Sequence, residues 1–204
     1  MTPQELRNES LATKMIKNLN RRNMEAFYCP TAEEAVKKVS ELIADGSSVT
    51  WGGSMTVRDL GIPDMLRRRG TLEVLDRDLV EGEAVQDIYL RAFTADVYLT
   101  SANAISEDGV IVNVDGNGNR VAAITWGPKK VIFIIGMNKV AQTVEAALSR
   151  ARGTAHPSMP NVSISRPPVR LMACAITAIR PKASAAMFTS CATLAIKVAT
   201  LWYW

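Results

Sequence analysis

The amino-acid sequence predicts an α/β protein built on a mostly parallel sheet with an inserted hairpin, and three observations carry that prediction. Short β-like runs alternate with stretches of helical periodicity through the first 150 residues, which places helices on both faces of a sheet. Val131-Ile132-Phe133-Ile134-Ile135 is apolar without polar alternation, as a strand covered on both faces must be. The chain has 204 residues, 48% hydrophobic and 22% charged, a balance that excludes disorder, collagen and coiled coil.

Leu11, Met15 and Leu19 recur every four residues, and Ala35, Val36, Val39, Leu42 and Ile43 form a second apolar stripe, so two helices open the chain with Pro30 between them. Asp45-Gly46 stops the second helix, because glycine accepts the left-handed backbone of a helix end, and Ser48 to Trp51 begins the sheet. Gly52-Gly53-Ser54-Met55-Thr56 then leads into a helix from about Val57 to Arg69, with Ser54 or Thr56 as its cap. Pro63 either kinks that helix or divides it after Gly61. Leu72 to Leu75 reads as a strand, Glu83 to Phe93 as a helix with Val85, Ile88, Tyr89 and Ala92 on one face, and Asp96 to Thr100 as the next strand. Val110 to Val114 alternates with period two, and the turn residues Gly116-Asn117-Gly118 predict a hairpin returning over Val121 to Thr125. After Val131 to Ile135, Gly136-Met137-Asn138-Lys139 leads to a last helix with Val140, Val144, Ala147 and Leu148 on one side.

Charge divides the chain unequally. Residues 151 to 204 hold six basic and no acidic side chains, whereas residues 1 to 150 hold 18 basic and 20 acidic ones, so the net charge of +4 belongs to the tail. The body lacks a basic stripe interleaved with aromatics, which leaves nucleic-acid binding unsupported. The longest uncharged run, Ala183 to Ile196, is 14 residues, too short for a membrane span. Three cysteines, Cys29, Cys174 and Cys191, form no CxxC pair, no metal-ligating pattern is present, and no secretory h-region opens the chain; a cytoplasmic protein is expected.

Two loops can carry chemistry. At Gly52, Gly53, Ser54 and Thr56 a strand passes into a helix, where small residues admit a ligand to the backbone and hydroxyls and helix N–H groups favour a phosphate or carboxylate; a turn glycine and a capping serine would account for the same residues. The loop is neither a Walker motif nor a dinucleotide fingerprint. The second loop, Thr100 to Gly109, follows a strand, where crevices of open α/β sheets lie. There Glu107 is a candidate base, nucleophile or ribose acceptor, unless Asn103, Ser106 and Asp108 serve only to cap a short helix. Lys139, after the most apolar strand, is placed to meet an anion. With His156 the only histidine, a Ser/His/Asp triad is rejected, and Cys29 reads as a buried thiol.

These residues resemble a known family. Trp51-Gly52-Gly53-Ser54-Met55-Thr56, Leu75-Asp76-Arg77-Asp78, the run from Ala95-Asp96-Val97 through Asn103-Ala104-Ile105-Ser106-Glu107-Asp108-Gly109 and Asn113 to Ala122, then Gly127-Pro128-Lys129-Lys130-Val131 and Gly136-Met137-Asn138-Lys139-Val140 closely resemble the LUD-domain family. That family includes the C subunit of bacterial lactate utilization systems. The resemblance covers residues 1 to about 155, the opening helices occupying 1 to 45, and implies a Rossmann-like sheet similar to ribose-5-phosphate isomerase, glucosamine-6-phosphate deaminase and coenzyme A transferases. It implies a role in oxidising L-lactate to pyruvate with iron–sulfur partner proteins. It favours Gly52, Gly53, Ser54, Thr56, Asn103, Glu107 and the segment Asp115, Asn117, Asn119, Arg120 as site residues for a small anionic ligand. Alternatives from other classes are a self-sufficient enzyme on a phosphosugar, acyl-CoA or folate-type substrate, and a non-catalytic assembly module.

The resemblance stops near His156. Relatives continue with a cysteine-rich end suited to an iron–sulfur cluster, which Cys174 and Cys191, seventeen positions apart, do not reproduce, so this chain as written is expected to hold no cluster. Back-translation of Val162 to Ala192 admits codons that spell F-D-I-K-T-P-C-A-L-N-G-V-C-H-Y-C-N-P-A-K-S-I-C in a shifted frame. Residues 156 to 204 are therefore read as out-of-frame text, which the nucleotide sequence around codon 156 tests.

Overall fold

A computed structural model describes residues 2–153, together with the strand backbone of 174–175 and 197–203. Helix α1 (Pro3–Arg21) starts from a reciprocal cap in which Thr2 accepts from the Glu5 N–H and Glu5 from the Thr2 N–H. There follow β1 (Ala26–Tyr28), α2 (Ala32–Leu42), β2 (Ser48–Trp51), α3 (Met55–Asp59), α4 (Ile62–Arg68), β3 (Glu73–Val74), α5 (Glu83–Arg91) and β4 (Val97–Thr100). The chain continues through β5 (Ala104–Ser106), β6 (Ile111–Asn113), α6 (Asn119–Thr125), β7 (Lys130–Gly136), β8 (Val140–Ala141) and α7 (Val144–Gly153), with β9 (Cys174–Ala175) and β10 (Lys197–Tyr203) beyond.

The main sheet runs β1-β10-β7-β4-β2-β3 with every neighbouring pair parallel. A smaller sheet runs β8-β5-β6-β9. Alternate residues of the central strands feed two cores, as a sheet covered on both sides requires. Val131, Phe133 and Ile135 of β7 pack with Tyr98, Met15, Leu19 and Ile124 under α1 and α6, while Ile132 and Ile134 pack with Leu99, Val49, Val39 and Leu66 under α2 and α4. These five buried side chains of β7, four aliphatics and Phe133, each contribute about 1.5–3 kcal/mol relative to exposure. The mixed α/β architecture and the division at Pro63 follow the sequence: Gly61, at φ +65°, ends the first short helix and caps the second, with Pro63 in its first turn.

Several elements differ from the sequence reading. Val121 to Thr125 is not a returning strand but helix α6. Gly118, at φ +78°, is its N-cap and the Asp115 carboxylate accepts from the Val121 N–H at 3.0 Å, so the Gly116-Asn117-Gly118 segment opens a helix. The hairpin lies one step earlier, between β5 and β6. Its turn is held by Ser106, whose hydroxyl accepts from the Val110 N–H at 3.0 Å and donates to Asp108, rather than by a capped helix. Gly109 takes φ +88° against Leu19. Val140 pairs as a strand with Ile105, and α7 begins only at Val144, where Thr143 caps the Ala146 N–H. Strand β1 falls between the two opening helices, just before Pro30, where the sequence pattern shows no strand. Of the tail, residues 174–175 pair with β6 and residues 197–203 form a strand between β1 and β7, while the rest from 154 on, including His156 and Cys191, lies outside the described residues.

Asp96 fastens the amino-terminal edge of the sheet. Its carboxylate accepts from Lys129 at 2.6 Å and from both the N–H and hydroxyl of Ser48 at 2.9 Å. The lysine bond first, then the two Ser48 bonds, hold its pKa at about 2, below the ordinary carboxylate value of 3.8. A depressed folded-state value means stability present above pH ~4 and lost as pH falls toward 2. Asp96→Asn is therefore expected to cost about 1–2 kcal/mol at pH 7 after allowance for partial solvent screening. In urea titrations the gap to the parent protein should close between pH 4 and 2; a gap independent of pH would show that the charge is not the cause.

Candidate functional site

Three adjacent parallel strands, β2, β4 and β7, end on the same edge. The chain leaves β2 toward β3 and leaves β4 toward β7 on the opposite side, so the connections diverge and a crevice opens at their carboxyl ends. Each strand delivers a polar segment to it: Gly52 to Thr56 after β2, Ser101 to Asn103 after β4, and the 3-10 turn Met137–Lys139 after β7.

Lys139 joins them. Its Nζ donates to Thr56 Oγ1 at 2.9 Å and to Ser101 Oγ at 2.8 Å, both residues being buried. Burial, and then the charges of Arg150 and Arg120, hold the amine at about 8, with Asp59 opposing them through space. Arg120 donates to Asn103 Oδ1 at 2.9 Å and to the Val114 carbonyl at 2.6 Å. Arg150, on α7, donates to the Asn103 carbonyl and, through Nε, to the Asn138 carbonyl at 3.2 Å; burial lowers its pKa as well. Asn103 is thus gripped by both guanidiniums. Among the described residues none of the three cations forms an ion pair with a carboxylate; all are held by neutral oxygens. Half-buried cations kept together without a counter-charge repel one another, and an anion placed between them relieves that repulsion.

The glycines serve close approach. A Cβ on Gly52 would stand 2.7 Å from the Tyr98 hydroxyl and 3.7 Å from Arg120 Cδ, and one on Gly53 would stand 2.8 Å from an Arg77 Nη. Burial pushes the Tyr98 phenol up to about 12, so it stays neutral. Gly52, Arg77, Tyr89, Tyr98 and Asn119 line a small cleft beside the cation cluster.

Of the residues singled out in the sequence, Gly52, Thr56, Asn103, Arg120 and Lys139 come together. Ser54 is spent on the cap, its hydroxyl accepting from the Val57 N–H at 3.4 Å. Asp115 caps α6, Asn119 lies in the neighbouring cleft, and Asn117 is exposed. Glu107 is not in this cluster: it lies across β5 from Asn103, its carboxylate paired with Lys14 at 2.6 Å and its carbonyl accepting from Asn18 at 2.9 Å, both on α1. Cys29 is buried in the core, which pushes its thiol up to about 11. Sequence reasoning missed Ser101 and Arg150. A serine directly after a strand was the available signal for the first; nothing local marks Arg150 among the charges of α7.

Gly52→Ala is expected to displace the Tyr98 hydroxyl and to lower stability by about 1–3 kcal/mol, whereas Gly53→Ala meets only the flexible end of Arg77 and should cost less. Thermal unfolding of the two variants side by side checks the order.

The LUD domain model matches residues 12–179. Among solved structures, the chain is similar to a DUF162 family protein from Deinococcus radiodurans, with a TM-score of 0.55 and 12% identity over 96% of each chain, a likeness of fold. No curated protein matches it. With the family match spanning most of the chain, and a Rossmann-like sheet whose carboxyl edge carries the motifs, this protein belongs to the LUD domain family, which is associated with lactate utilization.

Proposed function

We propose that this chain is a lactate-utilization subunit that holds a small carboxylate at Arg120, Lys139 and Arg150 while iron–sulfur partner subunits take up the electrons as L-lactate becomes pyruvate. The observation that carries the reading is the trio of cations at one sheet edge with no carboxylate partner among the described residues. A guanidinium presents paired N–H groups that match a carboxylate, and two of them flank Asn103. Lys139, fixed by two hydroxyls, then meets the oxygen on the neighbouring carbon.

The cluster that relatives would hold does not fit this chain. Four thiolates are needed, three cysteines are present, and Cys29 is buried in the core. The electron acceptor is accordingly assigned to the partners, and Glu107, engaged with α1, is given no step. No described helix is long and apolar enough to cross a membrane.

Calorimetric titration with L-lactate tests the reading. Arg150→Met should weaken binding about tenfold to a hundredfold, the loss of one charge-assisted contact. Because Lys139 is held at about 8, it sheds its charge as pH rises through that value, so affinity should fall between pH 7 and 9. Electron transfer from lactate only when iron–sulfur partners are added would support the subunit role. Turnover of a sugar phosphate or acyl-CoA by the purified chain alone would overturn it in favour of a stand-alone enzyme.

A further inference from the structure

We propose that Lys139 is a covalent site: its amine condenses with the ketone of a 2-oxo acid whose carboxylate rests on Arg120 and Arg150, forming an imine. This rests on the reading of the cluster as a carboxylate site and adds a bond to it.

Lys139 differs from the ion-paired lysines in what holds it. Lys14 is paired with Glu107, Lys38 with Glu41 and Lys129 with Asp96, partners that stabilise the ammonium form alone. Lys139 is held by two hydroxyls, and a hydroxyl can accept from an ammonium or donate to an amine. Thr56 and Ser101 therefore keep Nζ in one place in either protonation state. Burial beside Arg150 and Arg120 leaves about a tenth of it unprotonated at pH 7. The same arginines that disfavour the ammonium would receive a carboxylate, and in a 2-oxo acid the carbonyl carbon is bonded directly to that group.

The step balances without an oxidant. The amine lone pair forms the C–N bond as the carbonyl π pair moves to oxygen. Both amine protons pass to that oxygen, with Thr56 and Ser101 in position to relay them, and it departs as water while the C=N bond forms. A 2-hydroxy acid has no electrophilic carbon and cannot react. The site would thus distinguish the oxidised acid from the reduced one by bonding only to the former.

Reductive trapping tests this on the full chain, with pyruvate as probe, sodium cyanoborohydride as reductant, and peptide mapping by mass spectrometry. The expected result at pH 7 is a single adduct on Lys139, about tenfold or more above exposed Lys17 and Lys37. Lactate should give none, and Arg150→Met should yield less at equal pyruvate. Lys139→Arg keeps the charge, so it should still bind pyruvate by calorimetry while losing the adduct. Pyruvate binding without an adduct on Lys139, or an adduct spread evenly over the lysines, would overturn the imine and leave the carboxylate site standing. Binding of neither pyruvate nor lactate would remove both.

Discussion

A half-buried ammonium that rests on hydroxyls has its position fixed and its charge unanswered, and much of this molecule's polar edge is arranged around that condition. Lys139 links the ends of three neighbouring strands through Thr56 and Ser101. A carboxylate in place of either hydroxyl would neutralise the charge and close the site to an outside anion. Arg120 and Arg150 sharpen the demand because their donors go to amide and carbonyl oxygens of Asn103, Val114 and Asn138. The parallel register of β2, β4 and β7 makes this convergence possible, since only strands of one direction bring their carboxyl ends to one edge.

How much of this was legible in sequence varies by element. The run Val131 to Ile135 announces a strand covered on both faces, and the two cores under and over β7 account for every residue in it. The stripes of α1 and α2 are legible for the same reason, a period set by one buried face, and that of α5 by the half-buried Val85, Ile88 and Tyr89. Helix α6 differs from the sequence reading because Gly118 supplies positive φ, which a hairpin turn and a helix N-cap use equally. What decides between them is Asp115 reaching forward to the Val121 N–H, a contact that turn chemistry does not encode. Strand β1 has three residues, too few for a period to show.

The site was half legible. Glycines and hydroxyls after β2 mark a strand-to-helix passage, but the geometry shifts emphasis from the loop to Lys139, because Ser54 is used by its own helix. Arg150 comes from a helix 47 residues beyond its Asn103 partner, and such distant pairing leaves no local trace. Glu107, a lone acid in a polar loop after a strand, fits many roles in sequence, and its contacts with Lys14 and Asn18 of α1 are too distant along the chain to show there.

Asp96 gives the sheet a mechanical character. By tying the start of β2 to Lys129 at the entrance to β7, with β4 between, it rivets three blades of a fan at the handle. The ladder carries that anchorage onward, through Trp51 beside Leu99 and Thr100 beside Phe133, to the tips that carry Thr56, Ser101 and Lys139. Any guest that draws the tips together does so against a stiff pivot, so tightening there costs the remainder of the molecule little rearrangement.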